Sequence, residues 1–273
     1  MIEVEKLRKV YAGGVEAVQG IDFTVEPGGV LGLLGPNGAG KSTTIGMLTT
    51  TVRPTSGSAR LAGHDVRTKP LAARRVSSVV FQESVVDRSL TGRRNLDLHA
   101  RLWGVEGKTA RKRIEELGAT VGLRDLLDPR IRAELLDLIA ELRTRRELTI
   151  LVTTHYLDEA ERLSDRVAIM HAGAIVALDT PERLRASLGR ELVELRVDGD
   201  ATAALAALRS RGIARDDAFT VGATVTVPLN GHSSHEAIAA IHELGLADAV
   251  SARRPTLDDI YLRLTGGRLA EAA

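Results

Sequence analysis

The amino-acid sequence predicts an α/β protein built around a parallel sheet, and three observations lead to this prediction. Two short apolar segments, VLGLL at 30–34 and LTILVTT at 148–154, are typical of strands that are covered on both faces. A segment of helical character follows each of them. From about residue 190, strand and helix patterns alternate in the order β-α-β-β-α-β, which indicates a small α+β module.

The remaining elements follow from periodicity and turn residues. Alternating apolar residues predict strands, bounded by loops rich in glycine, proline and serine, at 2–10, 18–26, 58–63, 75–82 and, as a hairpin-like pair, 166–180. Apolar residues at helical spacing predict a helical region over 91–123, a helix from Pro129 to about Arg146 and a last amphipathic helix in PTLDDIYLRLTG.

Composition restricts the classes of function. The chain has 273 residues, which is enough for one large domain or for a larger and a smaller one. It has no cysteine, which excludes disulfides and thiolate metal sites. The net charge of +1 gives no reason to expect bulk attraction to nucleic acid, so we expect no nucleic-acid partner.

The apolar segments are too short for a membrane span. None approaches the roughly 18–20 residues that cross a bilayer, and the N-terminus MIEVEKLRKVY lacks the apolar core of a signal peptide. We therefore expect a soluble, cytoplasmic protein. If it serves a membrane, we expect it to do so as a peripheral subunit.

A glycine-rich loop joins the strand at 30–34 to the next helix. It fills the pattern G-x-x-x-x-G-K-[ST] with Gly35, Gly40, Lys41 and Ser42. Glycines allow backbone N–H groups to face phosphates, the lysine adds charge at the β- and γ-phosphates, and the serine hydroxyl can ligate Mg²⁺. The predicted nucleotide contacts are Gly35, Pro36, Asn37, Gly38, Ala39, Gly40, Lys41, Ser42 and Thr43. A chance glycine turn is the alternative, and the filled pattern argues against it.

Further motifs occur in a fixed order around this loop. They are KVYAGGVEAVQGIDFTVEPG, LGLLGPNGAGKST, PTSGSARLAGHDV, VFQE, LTGRRNL, TTHYLDEAERLSDRVAIMHAGAIVALDTPERL and PTLDDIYLRLTG. On these segments the chain resembles the ATP-binding subunits of ABC transporters, and among them the drug-exporter ATPases of the daunorubicin-resistance type. The resemblance implies a P-loop NTPase core with an antiparallel β subdomain over 1–189, shortened near 120–128, and a small α+β accessory domain over 190–273.

The resemblance also implies roles for three residues outside the loop. Tyr11 takes the place of the aromatic residue that stacks on adenine, although a tyrosine there could also be an ordinary core residue. Gln82 matches the glutamine that contacts Mg²⁺ and the attacking water and links the ATPase to the membrane subunit. His155 matches the histidine that reaches the γ-phosphate; without the resemblance it would be a polar residue near a helix N-terminus.

Two motifs that the family carries are absent from this sequence. Residues 83–150 contain neither a signature loop nor a Walker B strand, that is, four apolar residues followed by Asp for Mg²⁺ and Glu as the hydrolytic base. The sequence passes from the helical region directly to LDPR at 127–130, which resembles the D-loop, and Asp137 lies in a pattern of helical period. The resemblance places the missing Walker B strand inside the parallel sheet. Without it, its two neighbouring strands either lose hydrogen-bond partners or pair with each other in a new register, so we expect reduced stability.

The resemblance implies an ATP-binding subunit of a multidrug or antibiotic exporter. Such a subunit uses ATP and Mg²⁺, forms a homodimer or pairs with another ATPase subunit, and drives a separate integral-membrane permease from the inner face of the membrane. We expect ATP hydrolysis by this chain to be strongly reduced because two motifs are missing, so a catalytically defective nucleotide-binding relic or regulatory subunit is the alternative. A small-molecule kinase is disfavoured because nothing resembles a lid or an acceptor site.

Overall fold

A computed structural model describes residues 1–79, 90–120, 148–154, 157–229, 233–246 and 249–266. Contacts between Cα atoms divide the chain into two units. One unit comprises Met1–Ser77 and Leu148–Ala273, and the other is Ser78–Glu147.

The described residues form twelve strands and nine helices. The strands are β1 (Ile2–Val10), β2 (Glu16–Val25), β3 (Val30–Leu34), β4 (Ser56–Leu61), β5 (His64–Asp65), β6 (Ile150–Thr154), β7 (Arg166–His171), β8 (Ala174–Asp179), β9 (Leu192–Arg196), β10 (Phe219–Val221), β11 (Thr224–Pro228) and β12 (Val250–Arg253). The helices are α1 (Lys41–Leu48), α2 (Pro70–Arg75), α3 (Gly92–Leu102), α4 (Gly107–Thr120), α5 (Leu157–Leu163), α6 (Pro181–Ala186), α7 (Ala201–Ser210), α8 (Ser234–Glu243) and α9 (Leu257–Thr265).

An antiparallel sheet forms at the N-terminal end of the chain, as the sequence predicts. Its strand order is β2-β1-β4-β5. Apolar residues on one face of β1 and β2, among them Leu7, Val18 and Phe23, are buried in a common core with Met47 of α1. The alternation of buried and exposed residues along β1 and β2 is expected when one face of a sheet is covered.

The strand that leads into the glycine-rich loop lies in a second sheet, whose order is β6-β3-β7-β8. All five residues of β3 are buried, and β3 pairs in parallel with β6 on one side and with β7 on the other. The sequence therefore correctly predicts a strand covered on both faces at 30–34. The P-loop-type α/β core with an antiparallel subdomain is confirmed.

The apolar strand β6 differs from the prediction of a fully buried strand. Ile150, Leu151 and Val152 are only half-buried, and Thr153 is exposed. Within the described parts of the chain no strand pairs with the outer edge of β6. The strand predicted at 75–82 is also not formed in its described part, because α2 ends at Arg75 and residues 76–79 are irregular. A strand forms only where a neighbour completes its hydrogen bonds, and none is available there among the described residues.

The second unit contains α3 and α4. The sequence predicts a helical region over 91–123, and the structure interrupts it at 103–106, where Gly104 has φ +66°. The hydroxyl of Thr91 caps α3 by accepting a hydrogen bond from the amide of Arg94. The helix predicted from Pro129 to Arg146 and the D-loop-like residues 127–130 lie outside the described residues.

The C-terminal segment folds in the predicted order β9-α7-β10-β11-α8-β12, and its antiparallel sheet has the strand order β10-β11-β9-β12. Both helices cover the sheet through apolar residues such as Leu205, Leu208 and Ile241. This β-α-β-β-α-β topology is that of a ferredoxin-like module. The boundary at 189/190 between two domains stays a prediction.

The last helix, α9, packs in the core around the second sheet, in a cluster that also includes Leu192 of β9. Leu257, Ile260 and Tyr261 lie in one buried cluster with Leu34 of β3 and Ile169 of β7. Among the helices of the described residues, none combines the length and the apolar character that a membrane span requires.

Candidate nucleotide-binding site

The glycine-rich loop lies between β3 and α1 and depends on two close backbone approaches. A Cβ atom on Gly35 would lie 2.4 Å from the carbonyl oxygen of Met170, and one on Gly40 would lie 2.4 Å from that of Ala17. Gly40 also has φ +102°, a conformation that side chains disfavour. Both pattern glycines are therefore required by the space and the backbone of the loop.

The first turn of α1 faces the loop with its amide groups. Gly40 is the N-cap, and no side chain caps the helix. The amides of the first turn of a helix have no intrahelical acceptor, and the helix dipole adds partial positive charge there. At Gly38, which is exposed and has φ +81°, a Cβ atom would meet nothing within 4 Å. The loop is therefore open on the side where an anion would enter.

Lys41 places its ammonium group inside the loop. Its Nζ donates hydrogen bonds to the carbonyl oxygens of Gly35, at 2.6 Å, and Pro36, at 2.8 Å. Burial lowers the pKa of the Lys41 ammonium, because the two carbonyl dipoles replace water but bring no full negative charge. A phosphate in the loop would supply that charge.

Tyr11 lies beside the loop, in the turn that follows β1. Its hydroxyl is 3.4 Å from Oγ1 of Thr43, and the side chain is 41% exposed. The ammonium of Lys9 lies 4.9 Å from the centre of the Tyr11 ring, at the distance of a cation–π contact. The structure thus brings Tyr11 to the phosphate loop as an accessible ring rather than as a core tyrosine. The sequence did not predict this contact of Lys9, and its only signal is the position of Lys9 two residues before Tyr11.

The donor set in the described residues fits a magnesium ion held largely by a bound nucleotide. Ser42 is exposed at the start of α1, and no group of three or more His, Asp or Glu residues that could hold a metal ion occurs in the described residues. Mg²⁺ typically keeps several waters and substrate phosphate oxygens and takes few protein ligands. Gln82 and His155, predicted from the resemblance, lie outside the described residues.

The turn between β7 and β8 contacts the phosphate loop. The sequence did not predict this contact. The amide of Gly173 donates to the carbonyl oxygen of Ala39 at 3.1 Å, and the amide of Gln19 donates to the carbonyl oxygen of Gly173 at 2.8 Å. The Ala-Gly pair inside the predicted hairpin was the available signal for a tight turn. Its contact with the loop depends on the sheet order, which local sequence does not give.

Comparison with known proteins agrees with this geometry. The family described as ABC transporter matches residues 18–155, about half of the chain. The chain is 35% identical to "Daunorubicin resistance ATP-binding protein DrrA3" of Streptomyces coeruleorubidus, over 100% of this chain and 98% of the relative. It is 36% identical to "Daunorubicin/doxorubicin resistance ATP-binding protein DrrA" of Streptomyces peucetius, over 97% of this chain and 92% of that protein.

Solved structures share the fold. A chain titled "Structure of ATP binding subunit of ABC transporter" superimposes with a TM-score of 0.59 at 25% identity, covering 69% of this chain and 93% of that one. A dimeric ATP-binding cassette in a post-hydrolysis state, bound to ADP and phosphate, superimposes with a TM-score of 0.56 at 18% identity and covers 66% of this chain and 98% of its own. The second likeness supports the fold alone.

The alignment with the Streptomyces coeruleorubidus protein also bears on the missing motifs. It spans 315 positions, whereas this chain has 273 residues, so at least 42 positions, the difference between the two, are gaps in this chain. A deficit of this size agrees with the absence of a signature loop and a Walker B strand.

The phosphate loop, the accessible tyrosine beside it, the family match and the full-length similarity lead to one conclusion: the chain belongs to the ABC transporter ATP-binding proteins, in the group of the daunorubicin- and doxorubicin-resistance ATP-binding proteins.

Proposed function

We propose that this chain is the ATP-binding subunit of an ABC-type multidrug or antibiotic exporter. Such a subunit couples the binding and hydrolysis of ATP to the export of a substrate through a separate integral-membrane permease. The observation that carries the proposal is the phosphate loop, with Lys41 held inside it and Tyr11 beside it. Full-length similarity to drug-resistance ATP-binding proteins supports the exporter role. We expect the chain on the inner face of the membrane, bound to its permease.

ATP binding follows from the arrangement of the loop. The phosphates enter at the open side near Gly38, where the amides of the first turn of α1 can donate to them. Lys41 then exchanges its bonds to the carbonyls of Gly35 and Pro36 for bonds to phosphate oxygens, which are stronger because both partners are charged. Ser42 can contribute a hydroxyl to Mg²⁺, whose role is to neutralise phosphate charge, and Tyr11 offers its ring to adenine.

Calorimetric titration of the purified chain tests the binding proposal. MgATP should bind, and AMP should bind far more weakly because it places no β- or γ-phosphate near Lys41. Equal binding of MgATP and AMP, or no binding of MgATP, would contradict the proposal. The identity of a permease partner is tested separately by co-purification with a membrane protein expressed from an adjacent gene.

A second candidate is a subunit that binds ATP without hydrolysing it efficiently. The observation that favours it is the absence of Walker B and signature motifs from residues 83–150, together with the 42-position deficit against a relative. Loss of general-base assistance typically lowers a rate by about 10²–10⁴. We propose His155 as the contact to the γ-phosphate and Gln82 as a contact to Mg²⁺ and the attacking water; neither supplies the missing carboxylate base.

Pairing does not restore a complete site. ABC ATPases combine the phosphate loop and Walker B strand of one subunit with the signature of another. A homodimer of this chain would lack both motifs in both sites. A pair with an intact ATPase subunit would have one site without the base and one without the signature. We propose that the segment from 190 contributes a dimer or partner contact rather than catalytic residues.

A chimera separates the two candidates. The segment of the Streptomyces peucetius relative that faces the gap would be inserted near 120–128, and steady-state ATP turnover would be compared with the unmodified chain. We expect turnover in the chimera at least about 10²-fold above that of the unmodified chain. The matched control is the same chimera with the Walker B glutamate replaced by glutamine. Turnover by the unmodified chain at the rate of the relative would contradict the defective-subunit candidate.

A further inference from the structure

Two side chains, Tyr261 of α9 and His171 of β7, connect the C-terminal helix to the strand that contacts the phosphate loop. Tyr261 is only 2% exposed, and its hydroxyl shares a 2.8 Å hydrogen bond with Nδ1 of His171. The two rings meet edge to face, with centroids 5.8 Å apart and planes inclined by 63°. His171 is the last residue of β7, so this contact holds the end of that strand to α9.

The residues on both sides of His171 contact the loop. The carbonyl oxygen of Met170 lies 2.4 Å from where a Cβ atom on Gly35 would stand, so the two backbones touch. On the other side, the amide of Gly173 donates to the carbonyl oxygen of Ala39 at 3.1 Å. The end of β7 and the turn after it therefore contact the loop both before and after its open apex at Gly38.

The turn that makes these contacts has an unfavourable backbone conformation. Ala172 and Gly173 have φ values of +46° and +84°, as in the two-residue hairpin turns in which both central residues are left-handed. Alanine adopts this region at a cost, so neighbouring contacts must hold the turn in place. Gln19 supplies two hydrogen bonds of 2.8 Å, to the carbonyl oxygens of Ala172 and Gly173. The bond between His171 and Tyr261 is the contact supplied by α9.

We propose that Tyr261 is a positioning residue for nucleotide binding. Through His171 it fixes the turn between β7 and β8 against the phosphate loop, so that docking of α9 and ordering of the loop support each other. The proposal rests on the proposed binding of MgATP in this loop. Because coupling between two sites is reciprocal, a nucleotide that orders the loop also stabilises the docking of α9.

Hydrogen exchange of the nucleotide-free full chain tests the structural half of the proposal. In Tyr261→Phe, which keeps the ring but removes the hydroxyl, we expect about fivefold faster exchange in peptides covering 35–44 and 170–174. Strands β9 and β11 should keep their wild-type exchange. The matched control is Ile241→Val, which lowers stability in the C-terminal core without touching the turn. Unchanged exchange of the loop in Tyr261→Phe, or equally fast exchange in Ile241→Val, would overturn the proposal.

His171→Leu removes the same hydrogen bond from the other side and covers the case in which Tyr261→Phe folds poorly. It should produce the same exchange pattern, and the double variant should add little to either single change, because both remove one interaction. Additive effects of the two substitutions would count against a shared role.

Nucleotide titration tests the coupling. In the wild type, saturating MgATP should slow exchange in α9; in Tyr261→Phe this slowing should be lost and the Kd for MgATP should rise about fivefold. Leu264→Ala, a change at an exposed position of α9, should bind as the wild type does. If the wild type binds MgATP but hydrogen exchange in α9 does not slow, the coupling is overturned and the proposed function stays intact. Absence of MgATP binding would contradict the proposed function, and the nucleotide-free experiment would still decide the role of Tyr261.

Discussion

The guanidinium of Arg253 donates two hydrogen bonds, each 2.7 Å long, to the carboxylate of Asp259. Arg253 ends β12 and Asp259 lies in the first turn of α9, so this pair joins the C-terminal sheet to the helix that packs on the core around the second sheet. The carboxylate also accepts hydrogen bonds from the amide and hydroxyl of Thr256, which completes a capping box. Asp259 is 2% exposed, and both of its carboxylate oxygens accept hydrogen bonds.

We predict that Asp259→Asn lowers the free energy of unfolding by about 2 kcal/mol, because it removes charge-assisted bonds and leaves Arg253 without its main partner. Chemical denaturation at pH 7 measures this change. Glu194→Gln is the control: Glu194 contacts Arg253 at 2.8 Å on a more exposed side, where an ion pair contributes less than about 1 kcal/mol. An equal loss in both variants would contradict the assignment of the main contact to Asp259.

The same pair predicts a dependence of stability on acid. Burial raises the pKa of Asp259, but hydrogen bonds from Arg253 and Thr256 outweigh it and hold this pKa below the usual value. A lowered pKa in the folded state means that the stabilisation is complete above the unfolded pKa of about 3.9 and is lost as pH falls through the folded pKa. Denaturation between pH 5 and pH 2 should show a loss in the wild type that is smaller in Asp259→Asn.

We predict that Lys41→Met weakens MgATP binding by about 10- to 100-fold, because it removes charge-assisted contacts to the phosphates. The Kd from calorimetry measures this effect. Lys112→Met is a matched control, since Lys112 carries the same charge but is exposed on α4, where its ammonium lies 3.9 Å from the carboxylate of Glu116. A loss as large in Lys112→Met would point to general electrostatics instead of a phosphate contact.

Tyr11→Ala should weaken binding of ATP by about tenfold, the magnitude of one base–aromatic stacking contact. Tyr11→Phe should bind ATP almost as the wild type does, because stacking requires the ring and not the hydroxyl. GTP should lose affinity by a similar factor in Tyr11→Ala, since every base has a π face. Retention of full affinity in Tyr11→Ala would show that the ring does not contact the base.

Two glycines should respond differently to alanine. Gly40→Ala places a Cβ atom 2.4 Å from the carbonyl oxygen of Ala17 and should displace the loop, abolishing measurable MgATP binding. Gly63→Ala, in the turn between β4 and β5, meets no atom within 4 Å and has only its left-handed backbone to accommodate, which costs about 1 kcal/mol of stability. It should bind MgATP as the wild type does. Loss of binding in both variants would contradict a specific effect of Gly40→Ala on the loop.

The half-buried strand β6 predicts low stability. Its apolar residues Ile150, Leu151 and Val152 lie at the edge of the second sheet as the structure describes it, so they bury less apolar area than a central strand would. We expect the thermal midpoint of this chain to lie below that of a full-length drug-resistance relative. A midpoint equal to or above that of the relative, measured in the same buffer, would contradict this expectation.

Local sequence was most informative where a residue type has one dominant physical role. The glycines, Lys41 and Ser42 of the phosphate loop, the hairpin of β7 and β8, and the C-terminal order of strands and helices all follow from periodicity and turn chemistry. The prediction of a strand over 75–82 was wrong for residues 75–79, because strand formation depends on a neighbouring strand that no local pattern reveals. The broken helix at Gly104 was missed because a single glycine in a helical pattern is ambiguous.

The sequence by itself determined the phosphate loop, the family, and the absence of the signature and Walker B motifs, since these depend on residue identity and spacing alone. Only the tertiary structure decided which residues support the loop. Gly173 contacts Ala39, and Tyr261 contacts His171, across sequence separations that no periodicity encodes. Such contacts arise from the order of strands in the sheet and the docking of α9, which the packing of the whole core selects.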